Sequence, residues 1–174
     1  VSARLAQRLT VIGAVALAAA TLAIVFERPR DIGIVAVGAV LLAGVGTRGV
    51  WGPAGMVYAG SVAAAPILLR ADPIWGFAAI LLLFAVVWGT DIAAYFGGRM
   101  LGGPKLWPQV SPKKTWSGAV VGTAAAAAGG TSVAWFAGVP SLVAVAVICV
   151  LLSVASQLGD LLESAIKRRF GAKD

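Results

Sequence analysis

The chain has 174 residues, 60% of them hydrophobic and only 12% charged, with a formal net charge of +7 from 14 Lys and Arg against 7 Asp and Glu. Such a balance excludes a water-soluble globular domain, which could not expose this much apolar surface, and describes an integral membrane protein. Histidine is absent and Cys149 is the single cysteine, which excludes a disulfide framework, a zinc cluster and an imidazole base, leaving carboxylates, cations and hydroxyls for any chemistry.

Apolar segments follow one another at 9–26, 32–46, 50–69, 73–96, 116–138 and 140–159. They approach or exceed the ~20 residues that cross ~30 Å of hydrocarbon as helix, 32–46 being the shortest. Their continuous apolarity lacks the period-2 alternation of barrel strands, so the expected fold is all-α, a polytopic transmembrane helix bundle of about six spans. Six spans threaded from a cytoplasmic start place Arg4, Arg8, Arg48, Arg99, Lys105, Lys113, Lys114, Lys167, Arg168, Arg169 and Lys173 on one side and only Arg28, Arg30 and Arg70 on the other. Lys and Arg accumulate on the cytoplasmic side, so both termini are expected there. The basic balance then points to anionic headgroups or phosphates rather than to nucleic acid. Arg4 and Arg8 precede the first span as in a signal peptide, but no clean A-x-A site follows and five more spans do, so it reads as an ordinary helix. A single membrane-embedded domain is expected, with N-terminal spans in 1–86 and the chemistry in 87–174, carried by a cytoplasmic loop at 97–115 and a C-terminal motif at 159–174.

In the fourth span Asp91 is an intramembrane acid, followed one turn later by Tyr95. A charge there costs roughly 2.5 to 3.5 kcal/mol on insertion scales, which makes it a functional-site candidate by default, the alternative being a structural ion pair. The loop after this span begins "GGRMLGGPK", 97–105, which has the glycines of a phosphate loop but not its G-K-[ST] ending or a preceding strand, and is expected to be a flexible re-entry loop. The loop closes on "SPKKTWSGAVVG", 111–122. Pro112 suits the first turn of a helix, so Ser111 is predicted to cap it and to leave free N–H groups beside Lys113, Lys114 and Thr115 as a phosphate cradle. The alternative is that the two lysines only anchor the next span. The run "TAAAAAGG", 123–130, offers the small residues that close helix packing in lipid uses.

The last segment is "GDLLESAIKRRFGAKD", 159–174. If the sixth helix continues through it, Asp160, Glu163, Ser164 and Lys167 fall at i, i+3, i+4 and i+7 and share one face. Two carboxylates, a hydroxyl and a cation then meet the cytoplasm together, as half of a Mg²⁺ and phosphate site or, equally, as a basic cluster with ion pairs that only fixes topology.

From about residue 88 to its end the chain resembles the phosphatidate cytidylyltransferase, or CDP-diacylglycerol synthase, family. The resemblance rests on "DIAAYFGGRMLG" at 91–102, "SPKKTWSGAVVG" at 111–122 and Ser164-x-x-Lys167-Arg168-x-x-x-x-Lys173-Asp174, the opening of the family's signature. In the family that signature continues into a Gly-rich stretch with a histidine and an Asp-Arg-x-Asp segment, thought to supply a further metal-binding acid, and additional N-terminal spans are usual. This sequence begins at Val1 and stops at Asp174, so a fragment is expected.

The resemblance implies the reaction of CTP with phosphatidate to give CDP-diacylglycerol and pyrophosphate, with Mg²⁺, among the lipids of the cytoplasmic (inner) membrane; a homodimer is left open. It implies Asp160, Lys167 and Arg168 as catalytic residues, with Asp160, Glu163 and Asp174 as metal ligands. Ser111, Lys113, Lys114 and Thr115 would cradle a phosphate, with Asp91, Tyr95, Ser164 and Lys173 lining the cleft. An ionised phosphate monoester is already a nucleophile, so the missing histidine is no obstacle and catalysis reduces to positioning and charge neutralisation. The competing readings are a small transporter with Asp91 and Asp160 as coupling acids, a scaffold that collects anionic lipid, and a lipid-alcohol kinase or other CTP-dependent transferase.

Overall fold

A computed structural model describes residues 51–169 and Gly171, and these are mostly helical. The chain divides into two compact units, residues 1–69 and 70–174. Helix α1 (Trp51–Arg70), with Pro66 inside it, coincides with the expected segment 50–69. The expected spans 9–26 and 32–46 lie outside the described residues.

The rest is built from α2 (Gly76–Leu101), β1 (Lys105–Trp107), β2 (Ser111–Thr115), α3 (Trp116–Phe136) and α4 (Leu142–Arg169). A helix start leaves four backbone N–H groups without partners. Ahead of α2, Asp72 turns the chain in by accepting at Oδ1 from the N–H groups of Ile74 (2.9 Å) and Trp75 (2.6 Å). At the other end Gly102, at φ 61° and ψ −144°, takes a conformation open to glycine that stops the helix. Among the described residues α2, α3 and α4 are each long and apolar enough to cross a membrane, in agreement with the segments expected at 73–96, 116–138 and 140–159. Phe84, Trp88 and Leu151 stay exposed on their outer faces, as suits side chains solvated by lipid.

Helix α3 buries Gly118, Gly122, Ala126, Gly130 and Ala134, one small residue per turn along a single stripe. The stripe lets backbones touch: a Cβ added at Gly118 would sit 2.6 Å from the Ala94 carbonyl oxygen, and one at Gly122 would sit 2.7 Å from that of Thr90. Lipid tails give helices no hydrophobic reason to associate, so this close van der Waals fit is what holds α2 to α3. It is the most extensive contact between elements, followed by α3 with α4, while α2 and α4 touch less. Val86, Ala126 and Cys149 form the core where the three helices meet, with Leu82, Val145 and Leu152 around them.

Two expectations are corrected between α2 and α3. The segment 97–105 is not a flexible re-entry loop: α2 runs on to Leu101, and β1 and β2 then pair as an antiparallel hairpin, Lys105 opposite Thr115 and Trp107 opposite Ser111, with a shift of register between. Nor does Ser111 cap a helix. It is a buried strand residue, and the cap is Thr115, extended at φ −120°, ψ 156°, whose Oγ1 accepts from the Gly118 N–H at 3.2 Å. Pro112 is accommodated because both strands of a two-stranded sheet are edges, where a missing N–H donor costs nothing.

Candidate functional site

In strand β2, Ser111 and Thr115 are buried, while Lys113 is exposed and Lys114 half-buried. Lys114 reaches across to α4, where its Nζ donates to Asp160 Oδ2 at 2.8 Å. The two side chains are 32% and 45% exposed, so the pair keeps part of its hydration and is worth far less than a fully desolvated one. Asp91, on α2, lies within electrostatic range of both partners. Strand β2 and helix α4 thus bring a lysine and a carboxylate together towards the end of the bundle that carries the hairpin.

The remaining predicted residues fall around this centre. Helix α4 is continuous to Arg169, so Asp160, Glu163, Ser164 and Lys167 do share a face. One turn beyond Asp160, Glu163 is ion-paired with Lys167 at i, i+4, and Ser164 is buried. Arg168 Nε donates to the Val110 carbonyl at 2.8 Å, which ties the tip of the hairpin to α4. Thr115 Oγ1 also meets Ser117 Oγ at 3.1 Å, and Ser117 Oγ donates to the Gly102 carbonyl, fastening the hairpin's other end to α2. Tyr95 is exposed and its hydroxyl accepts from Arg99 Nη1 at 3.0 Å. Lys173 and Asp174 lie outside the described residues.

No group of three or more His, Cys, Asp or Glu side chains able to hold a metal occurs among the described residues. Glu163 is turned to Lys167, which leaves Asp160 and Asp91 as the neighbouring acids. Such a donor set is too small to cage an ion alone but suits Mg²⁺, which usually takes one or two carboxylates and completes its shell with water and substrate phosphate oxygens. Beside it, an open groove of about 660 Å³ runs between α3 and α4, lined by Leu106, Trp116, Val154 and Leu161 with Thr123 and Gln157 as its polar members.

The sequence reading missed a hydrogen-bonded chain inside the bundle. Thr90 Oγ1 donates to Ser153 Oγ at 2.8 Å and Ser153 Oγ donates to Thr123 Oγ1 at 3.3 Å, while Gln157 Nε2 donates to Thr123 Oγ1 at 3.0 Å. A signal was available: Ser153, Gln157, Asp160 and Ser164 follow at spacings of four, three and four, a polar stripe along one side of an otherwise apolar helix.

Comparison with known proteins agrees with this arrangement of motifs. The family described as "Cytidylyltransferase family" matches residues 4–174. The phosphatidate cytidylyltransferase of Brucella suis biovar 1 (strain 1330) is 59% identical over 124 residues, covering 71% of this chain and 46% of that protein. That of Bacillus subtilis (strain 168) is 42% identical over 101 residues, 58% of this chain and 38% of its own length. That of Rickettsia bellii (strain RML369-C) is 38% identical over 118 residues, 62% of this chain and 49% of its own. The chain spans at most about half the length of these curated relatives. No solved structure matches it.

Proposed function

Because the chain belongs to the cytidylyltransferase family, we propose that it acts as part of a phosphatidate cytidylyltransferase, transferring the cytidylyl group of CTP to phosphatidate and releasing pyrophosphate. The observation that carries this reading is the Lys114–Asp160 pair, with Asp91 within electrostatic range of it, where three membrane helices meet a polar hairpin. A lipid substrate arrives in the plane of the membrane and a nucleotide from water, and such a junction is where the two can meet. The full topology proposed is of six spans with both termini cytoplasmic, in the cytoplasmic membrane.

The phosphatidate phosphate oxygen attacks the α-phosphorus of CTP, and the bond from that phosphorus to the pyrophosphate oxygen breaks. The nucleophile is already an anion, so no protein base is needed, and the chain's task is to hold two polyanions together. Lys113 and Lys114 on β2 supply cations that offset phosphate repulsion, with Lys167 one helical face along. Asp160 and Asp91 would hold Mg²⁺, which when bound neutralises charge on the phosphates and the departing pyrophosphate. An acyl chain of the lipid would lie in the groove between α3 and α4, whose rim residue Trp116 follows Lys114 by two positions.

The test is Mg²⁺-dependent formation of CDP-diacylglycerol from CTP and phosphatidate by the full gene product in detergent, beside its Asp160→Asn variant. Product from the parent and none from a variant that still inserts into the membrane is expected. Absence of product from a correctly inserted parent would overturn the activity, and parental turnover in the variant would remove Asp160 from the site.

A further inference from the structure

The two acids of the site stand on different helices, Asp91 on α2 and Asp160 on α4, and those helices touch less than either touches α3. One of the links between them is the hydrogen bond from Thr90 Oγ1 to Ser153 Oγ, 2.8 Å long, between side chains that are both 0% exposed. Thr90 directly precedes Asp91. Ser153 lies seven residues before Asp160, about 10 Å along the axis and on nearly the same side, since seven residues make almost two turns. In the apolar interior neither hydroxyl can turn to water, so the pair persists unless both helices find other partners. Ser153 passes the constraint on to Thr123 of α3. The Thr90 backbone is itself fixed, its carbonyl packed against Gly122 so closely that a Cβ there would come within 2.7 Å.

We infer that Thr90 and Ser153 are positioning residues that set the separation of Asp91 and Asp160. The inference rests on the function proposed above for the site, but the contact itself does not. Freed of this bond, α4 would keep its packing on α3 while turning or sliding against α2, and the acids would move apart. Misplacement by about 1 Å of groups that must align costs on the order of a hundredfold in rate, so a partial loosening is expected to lower kcat about tenfold.

The experiment compares Thr90→Val, which keeps the shape and removes the hydroxyl, with Thr90→Ser, which keeps the hydroxyl, in the full gene product. Each is assayed for CDP-diacylglycerol formation per folded molecule. Each is also spin-labelled at cysteines replacing the exposed Ile92 and Leu162, Cys149 being fully buried, for measurement of the α2–α4 distance distribution. Thr90→Val is expected to lose kcat about tenfold with the KM for CTP within twofold of the parent, and to broaden the distribution. Thr90→Ser and the parent should agree in both. A purely structural role would lower the yield of folded protein and leave kcat per folded molecule unchanged, and that result overturns the inference. So does a distribution in Thr90→Val as narrow as the parent's. If the parent itself makes no product, the proposed activity fails while the distance distributions still decide the positioning role.

Discussion

Replacing Gly118 by Ala adds a single methyl group, and its effect can be set against Gly159→Ala as an internal standard. A Cβ at Gly118 would lie 2.6 Å from the Ala94 carbonyl oxygen and 3.2 Å from Gly98 Cα, both backbone atoms of α2, whereas a Cβ at Gly159 meets nothing within 4 Å. Contact at van der Waals distance requires about 3.5 Å, so α2 and α3 must part by about 0.9 Å to admit the methyl. Helix propensity favours Ala over Gly by about 1 kcal/mol at either position. Overpacking costs about 1 to 3 kcal/mol and applies at position 118 alone. Gly118→Ala should therefore lie about 1 to 3 kcal/mol below Gly159→Ala in stability. Denaturant titration in a fixed detergent, followed by tryptophan fluorescence, gives the difference directly. Equal stability of the two variants would refute the backbone contact between α2 and α3, because no side-chain rearrangement can relieve a clash with a carbonyl.

Two further outcomes follow from the ties between hairpin and α4. Arg168→Lys removes the Nε donor to the Val110 carbonyl, a bond worth about 1 kcal/mol, so amide hydrogen exchange across 105–115 should quicken about fivefold; unchanged exchange would show that Arg168 does not hold the hairpin. A double-mutant cycle with Lys114→Met and Asp160→Asn should give a stability coupling below about 1 kcal/mol, because both side chains keep part of their exposure. A coupling of several kcal/mol would mean that the pair is sealed from water.

Local signals on single helices were readable in the sequence and contacts across the fold were not. The face shared by Asp160, Glu163 and Lys167 needed only the helical repeat and a helix that continued past the apolar run, and α4 does continue. The small residues of 123–130 announced close packing, and the stripe from Gly118 to Ala134 carries it. Ser111 misled because Ser followed by Pro is the ordinary start of a helix, and the same two residues also suit an edge strand. What decides between them is the pairing of Lys105 with Thr115, a contact that no window around Ser111 contains. The partnership of Lys114 with Asp160 spans 46 residues and leaves no periodic trace. Ser153 belongs to a polar stripe that the spacing could have shown, but its bond to Thr90 joins residues 63 positions apart and leaves no trace in either run.

The length of α4 has a consequence for the lipid around it. Its 28 residues extend about 42 Å, some 12 Å more than the ~30 Å of a bilayer's hydrocarbon. From Leu142 to Leu158 the helix is apolar but for Ser153, Ser156 and Gln157, and Asp160 follows within two residues, so the rod carries its acids at a height fixed by covalent geometry. Membrane thickness therefore becomes a variable of the chemistry. In a bilayer a few ångströms thicker, headgroups would rise toward Asp160 or the helix would stand more upright, and in a thinner one it would tilt. Under the function proposed above, the groups at the end of such a rod are gauged against the thickness of the membrane that holds it.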